Sequence, residues 1–391
     1  MSSALMQNYG TRELKFERGE GSYLFTKDGE RYLDFGMGIA VNSLGHCNPK
    51  LVDALTDQAK RLWHTSNLYN IEPGEQLADK LVASTFADRV FFCNSGTEAI
   101  ECGFKAIRRY FHSKGQSHKN RIISMSGAFH GRSLAAIASA ANPVHCEGFL
   151  IGDTGFDQAE FGNFDSLLSV VNENTAAVII EPIQGEGGIN VAGLEYLKAV
   201  RELCDSHELL LMFDEVQCGI ARTGSLYAYQ QLGVNPDILA TAKGLGGGFP
   251  IGACLATEEV ASALVAGTHG STFGGNPLAT AVGNAVMDTL NEADFLKNVS
   301  ELGSYFKAEL QKLVERYPQL LKEVKGLGLM LGLYCLTDAG QLIAHLQEQK
   351  LLVVKAGGNS VRLLPALNVS KQEIDSAVNI INNVLSNIDN S

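Results

Sequence analysis

A chain of 391 residues is too long for one ordinary hydrophobic core, so about two or three domains are expected. Its 45% hydrophobic and 19% charged content is that of a globular protein, and a net charge of −12 argues against a nucleic-acid binder. No apolar run approaches the roughly 20 residues that span a bilayer, which argues against a membrane partner. Residues 1–15 carry no basic leader ahead of an apolar core. The eight cysteines form no C-x-x-C pair and several lie in apolar runs. They read as reduced thiols of a cytoplasmic protein, neither a disulfide frame nor a metal site.

Taken in chain order, residues 1–50 hold short strand patterns at 22–26 and Arg31–Asp34 around the turn Lys27-Asp28-Gly29. From about 51 to 290, helical and strand patterns alternate. The strand patterns are Arg89–Cys93, Arg121–Met125, 177–181, 209–214, 238–240 and Gly252–Ala256. They are short, apolar and partly β-branched, as strands buried on both faces are. Between two of them Leu194, Leu197, Val200, Leu203 and Cys204 recur at helical spacing. This is βαβ logic and predicts an α/β fold, a mostly parallel central sheet with helices on both faces. The locally basic run at 105–121 reads as a solvated helix face and loop.

The tail differs, and 291–391 is expected to be a small α+β domain. Residues 326–336 read as one strand and 341–350 as a helix. Residues 351–355 and 360–364 flank Gly357-Gly358-Asn359 as a hairpin. The last helix begins at Ser370 with Glu373 three residues on, a capping box. Its apolar stripe is Ile374, Val378, Ile381, Leu385 and Ile388. The N-terminal segment, 1–50, is expected to join this domain.

Chemistry-bearing residues follow the strands in turn. Asn94-Ser95-Gly96-Thr97 opens a helix after the strand Arg89–Cys93. Such a turn offers free amides and the positive end of the helix dipole, so Ser95, Gly96 and Thr97 are candidates to hold a phosphate. An ordinary N-cap is the plain alternative. After the next strand, Phe129 is placed to stack on a flat ring and Arg132 to grip a carboxylate. A core phenylalanine and a surface arginine would account for the same letters. Glu181 and Glu186 bracket small residues at a strand's carboxyl edge, where ligands of α/β proteins bind. Glu186 alone also reads as a solvated loop acid. Asp214 ends an apolar run, where a carboxylate is costly unless paired. A protonated pyridine nitrogen would be such a partner, and Gln217 is able to donate to a phenolate oxygen. Lys243 ends another apolar run ahead of a glycine cluster, as if a strand delivered an amine to a cavity. A desolvated lysine amine forms Schiff bases with carbonyl compounds. Pyridoxal phosphate enzymes pair that lysine with a carboxylate on the pyridinium nitrogen.

These segments together resemble a class III (subgroup II) aminotransferase of the pyridoxal phosphate fold-type I group. The resemblance runs from Leu33-Asp34-Phe35 to Val361-Arg362-Leu363-Leu364-Pro365. It is most specific between Asp214 and Gly224 and between Lys243 and Gly252. One departure is Ala221, where the family usually has glycine; it is expected to alter turn flexibility and not chemistry. Within the class, Leu68-Tyr69-Asn70 and the stretches 127–132, 181–188 and 272–277 most resemble the branch that transaminates acetylornithine in arginine biosynthesis.

The resemblance implies pyridoxal 5'-phosphate as cofactor and a homodimer with shared active sites. It assigns Gly96 and Thr97 to the phosphate, Phe129 to the ring face, Asp214 to the ring nitrogen and Gln217 to the ring hydroxyl. Lys243 becomes the lysine that attaches the cofactor and then moves the proton, and Thr272 reaches the phosphate of the partner subunit. Arg132 is implied for the α-carboxylate of acetylornithine, and Arg362 for that of glutamate with Glu186 as its switchable partner. 4-Aminobutyrate, ornithine, succinylornithine and succinyldiaminopimelate are alternative donors. Ornithine is disfavoured by Ile39, which stands where ornithine transaminases carry tyrosine. A dinucleotide-dependent dehydrogenase fits poorly, because Gly244 to Gly248 lacks the G-x-G-x-x-G spacing and Pro250 follows at once. A non-catalytic relative is disfavoured by the joint presence of Lys243, Asp214 and Arg362.

Overall fold

The computed structural model describes residues 4–9, 13–150 and 152–390, so the reading of 1–15 falls partly outside the described residues. Seven strands form the central sheet. In spatial order they are Arg89–Cys93, Gly252–Ala256, Ile238–Thr241, Leu210–Asp214, Thr175–Ile180, Arg121–Met125 and Phe156–Ala159. All neighbours run parallel except Gly252–Ala256, which is antiparallel to both of its partners. The sequence pattern predicts the parallel majority but not this reversal. It also misses Phe156–Ala159, a half-buried edge strand whose Asp157 and Gln158 break the apolar run.

The pleat explains why the central strands are apolar throughout. Ile122, Ala177, Ile179, Leu210, Met212, Ile238, Ala240 and Cys254 join one core cluster under the helix Gly96–Ser113. Their alternates Ile123, Val178, Ile180, Leu211, Phe213, Leu239, Ala253 and Leu255 join the other, with Leu197, Val200 and Leu203 of the helix Leu194–Ser206. Period-two alternation therefore feeds two apolar layers.

Among the described residues, two four-stranded sheets and the short antiparallel pair Ile183–Gln184 and Asn190–Val191 complete the fold. Phe16–Glu20, Tyr23–Thr26 and Arg31–Asp34 pair in sequence, and Arg31–Asp34 also pairs with Leu351–Leu352. The second sheet has the order Leu321–Leu327, Met330–Cys335, Ser360–Leu363 and Val354–Ala356. The single strand expected at 326–336 is therefore a hairpin. The chain turns at Gly328, φ +55°, where an added Cβ would meet the Thr223 backbone at 2.5 Å. The last helix, Lys371–Asp389, is capped reciprocally by Ser370 and Glu373, as its sequence predicts. Among the described residues no helix is long and apolar enough to cross a membrane.

Candidate active site

The carboxyl ends of three parallel strands, together with the turn that opens the helix Gly96–Ser113, surround a cavity of about 310 Å³. Its lining includes Ser95, Gly96, Thr97, Phe129, Asp214, Gln217 and Lys243. Seven residues singled out in the sequence thus come together from four separate segments.

Ser95 is the N-cap, its hydroxyl accepting from Glu98 N. The amides of Gly96 and Thr97 belong to the first turn, where backbone donors have no helical acceptor. Glu98 Oε2 accepts from Asn94 N at 2.6 Å and Asn94 Nδ2 at 2.9 Å, which fixes the entry to the turn. Gly131, φ +124°, lets the segment after Phe129 close on it, since a Cβ there would sit 2.2 Å from Thr97 Oγ1.

Asp214 is 4% exposed. Its Oδ1 accepts from Val216 N at 3.0 Å, and Oδ2 lies 2.7 Å from His130 Nδ1. His130 Nε2 lies 3.2 Å from Ser124 Oγ, so a buried chain Ser124–His130–Asp214 fixes the carboxylate. Burial opposes charge on His130 most strongly. The Asp214 hydrogen bond and the charges of Asp214 and Glu181 outweigh it and raise the imidazole pKa. His130 lies inside the stretch 127–132 that carries the resemblance, yet no local signal gives it this role; only the fold brings residues 130 and 214 together. Glu181 is fully enclosed beside them, and burial pushes its carboxyl pKa up. It accepts from Phe129 N at 3.1 Å and Gly185 N at 3.3 Å. Glu215 points away from the cavity and holds Ala228 N and Tyr229 N at 2.6 and 2.8 Å.

Lys243 follows Ile238–Thr241, whose Ala240 is in register with Asp214. Its φ of +44° is rare for a residue with a side chain. Such strain collects at functional positions. Burial first, and then the charge of Arg362, lower its amine to about 8.

Arg362 is fully buried and comes from the C-terminal sheet. Its Nη1 donates to Glu186 Oε1 at 2.6 Å and to Gln217 Oε1 at 2.8 Å. Among the described residues its Nε has no hydrogen-bond partner and Nη2 reaches only the Lys355 carbonyl, at 3.5 Å. The guanidinium thus keeps donors in reserve for another carboxylate. Gln217 touches both the cavity and Arg362, a contact the sequence reading does not foresee. With its amide oxygen taken, Nε2 is the atom left to donate.

Arg132 and Thr272 stand apart. Arg132 is exposed, its guanidinium 5.2 Å from the Phe129 ring centroid. Thr272 is exposed in a loop outside this cavity, although the adjacent Ser271 Oγ accepts from Asn94 Nδ2 at 3.2 Å.

A buried amine of lowered pKa, a fixed carboxylate and a helix N-terminus around one cavity are the parts that group transfer on a phosphorylated aromatic cofactor requires. Residues 5–385 match the family model "Aminotransferase class-III". The chain is 52% identical to the acetylornithine aminotransferase of Agrobacterium fabrum over 95% of its own length and 93% of that protein. It is similar in structure to the N-acetylornithine aminotransferase of Stenotrophomonas maltophilia, with a TM-score of 0.85, 38% identity and 98% of each chain covered. It is also similar to the ornithine aminotransferase of Toxoplasma gondii, with a TM-score of 0.95, 31% identity, and 99% and 93% covered. The chain belongs to the class-III aminotransferases, with the fold-type I architecture of pyridoxal-phosphate-dependent enzymes, and it transfers an amino group between an amino acid and a 2-oxo acid.

Proposed function

We propose that this enzyme moves the side-chain amine of N-acetylornithine to 2-oxoglutarate, giving N-acetylglutamate 5-semialdehyde and glutamate in arginine biosynthesis. The observation that carries the reading is Arg362, wholly buried beside the cavity and covered by a half-exposed Glu186. One pocket must accept glutamate by its α-amine and acetylornithine by its distal amine. An uncovered Arg362 favours an α-carboxylate near the reacting nitrogen and so favours glutamate. Covered by Glu186, its charge is masked for the other donor. Arg132, at the rim, is read as the partner of the acetylornithine α-carboxylate.

The donor set fits pyridoxal 5'-phosphate: Gly96 and Thr97 for the phosphate, Phe129 for the ring face, Asp214 for the ring nitrogen and Gln217 Nε2 for the ring oxygen. Attachment to Lys243 suits an amine lowered to about 8. When bound, the cofactor supplies the electron sink that lets a bond next to the nitrogen ionise. Lys243 Nζ accepts the proton from one carbon and returns it to another. Asp214, held by His130, keeps a proton on the ring nitrogen by its charge.

The same reading includes cytoplasmic location, division of the chain near residues 50 and 290, and a homodimer in which Thr272 serves the partner's phosphate. Exposed Trp63, Leu68, Tyr69 and Phe273, 64%, 82%, 69% and 60% accessible, supply an apolar surface for that contact. Mixing Thr272→Val and Lys243→Ala subunits places both lesions in one site of the heterodimer and leaves its other site intact. Activity above that of either homodimer is expected; its absence after controlled reassembly argues against shared sites.

The substrate is tested with a donor panel against 2-oxoglutarate: acetylornithine, succinylornithine, succinyldiaminopimelate, ornithine and 4-aminobutyrate. Acetylornithine is expected to give the highest kcat/KM. A higher value for free ornithine or 4-aminobutyrate overturns the assignment.

A further inference from the structure

Glu186 lies in the turn between Ile183–Gln184 and Asn190–Val191, and Arg362 in a strand of the C-terminal sheet, so something must fix their approach. The backbone does this at glycines. Gly357 N, in the turn ahead of Ser360–Leu363, donates to Glu186 O at 2.7 Å. A Cβ on Gly357 would lie 2.8 Å from that oxygen and 3.0 Å from Gly187 C. On the opposing chain Gly188, φ +115°, would place a Cβ 2.7 Å from Gly357 O. Gly187 is closed in as tightly, with Gly127 O 2.8 Å from its Cβ position. On the near side, a Cβ on Gly185 would lie 2.3 Å from Gln217 Oε1. The main chain on both sides of Glu186 is approached too closely to admit a Cβ, whereas the Glu186 side chain is 34% exposed.

We propose that Gly357 is a positioning residue for substrate selection: its amide clamps the Glu186 backbone, so that the carboxylate leaves Arg362 by side-chain rotation and not by movement of the loop. The proposal rests on the reading of Glu186 and Arg362 as the switch between substrates. A pivot of this kind keeps the two positions of the carboxylate fixed relative to Arg362. A loosened backbone lets Glu186 drift away and leaves Arg362 uncovered. Loss of the clamp therefore mimics loss of the carboxylate.

Two experiments on the holoenzyme test this. The first is a double-mutant cycle of Gly357→Ala and Glu186→Ala, read by single-turnover rates with acetylornithine and with glutamate. Gly357→Ala is expected to shift the ratio of the two rates toward glutamate by roughly tenfold, within the range for residues of one network, and to add nothing in the Glu186→Ala background. Additive shifts, or equal losses in both half-reactions, make the contact plain packing and overturn the proposal. If Glu186→Ala alone leaves the ratio unchanged, the switch reading fails and the proposal with it. A ratio moved by Glu186→Ala but not by Gly357→Ala sinks the clamp alone. The second experiment needs no substitution and stands even if Gly357→Ala fails to fold. Hydrogen exchange at the Gly357 amide of the unmodified enzyme is expected to stay slow with either substrate. Fast exchange on saturation with glutamate means that the loop moves as a body and overturns the clamp.

Discussion

Lys243 and Asp214 stand at the ends of neighbouring strands of one sheet, whereas Glu186, in a turn, and Arg362, in the C-terminal sheet, meet from segments 176 residues apart. The first pair is held by regular ladders and by side chains buried with them. The second is held by a glycine contact and by one guanidinium that also binds Gln217. On the proposed roles, groups whose task is the same for every substrate sit on the rigid frame, and groups that distinguish substrates sit at a seam, where a small rotation would change the charge presented. The comparison yields different patterns of damage for the two regions.

The largest loss is expected on the rigid side. Lys243→Ala removes the proposed attachment point and proton carrier together, and proton transfer alone contributes roughly a hundred- to ten-thousand-fold. Borohydride reduction and peptide mapping of the unmodified enzyme are expected to find the pyridoxyl group on Lys243; a label on Lys105 or Lys355 would refute this. Asp214→Asn keeps the shape but removes the charge, with an expected fall on the order of a hundredfold. Both half-reactions should fall equally in rapid-quench measurements, because both use the same ring nitrogen.

Substitutions at the seam are expected to be unequal. Arg362→Ala chiefly damages the glutamate half-reaction, and Arg132→Ala damages the acetylornithine half first. Glu186→Ala strengthens competition by glutamate. Truncating one partner of a desolvated charged pair costs about 2–5 kcal/mol, an upper bound here because Glu186 is partly solvated. Equal losses in both halves for all three variants would erase the distinction between frame and seam.

The two regions were legible in the sequence to different degrees. Lys243 and Asp214 announce themselves because a charge that ends an apolar run is expensive and local pattern reveals it. The phosphate turn is equally local. Arg362 enters only through family resemblance, and Glu186, which position alone reads as an acid at a ligand-binding edge or a solvated loop acid, gains its pairing with Arg362 only in that way. His130, the Gln217–Arg362 contact and the role of Gly357 were not foreseen, since each exists only after segments 84, 145 and 171 residues apart have met. The reversed strand Gly252–Ala256 is a further case, as apolar letters encode burial but not direction.

The regions are coupled by charge, and pH sharpens the point. The Lys243 amine, at about 8, must be neutral to react. Attachment of the cofactor to apoenzyme is therefore expected to accelerate as pH rises through about 8 and to level off above it. Arg362→Gln removes the cation that is the second cause of the lowering and leaves the negative charge of Glu186 in place. Loss of the cation, with the Glu186 charge no longer offset, raises the midpoint. A midpoint that stays or falls, followed by absorbance in stopped flow, would mean that the seam does not reach the lysine. For folding, the sign is opposite to that of a stabilised lysine. The folded value lies below the unfolded one of about 10.4, so the penalty is complete below about 8 and is relieved as pH rises toward the unfolded value.

Ala221 gives the smallest expected effect and the cleanest control, because it lies where the two regions join. The segment after Asp214 runs through Ala221 to Arg222, whose Nη1 donates to the carbonyls of Leu329 and Pro365 on the C-terminal side. Ala221 is fully buried with φ +64°, and its N–H donates to Leu226 O at 2.9 Å. A left-handed conformation costs a residue with a Cβ about 1–2 kcal/mol, and glycine gives back part of that by gaining freedom in the unfolded chain, about 0.4–1 kcal/mol. The substitution also gives up a buried methyl worth about 0.8 kcal/mol, so Ala221→Gly is expected to shift stability by less than about 1 kcal/mol in denaturant titrations. The ratio of the two half-reactions should not move, because the substitution relieves strain without releasing Asp214 or Arg222 from its partners. A variant with an altered ratio would mean that frame and seam are mechanically coupled through this turn, and their separation into independent regions would fail.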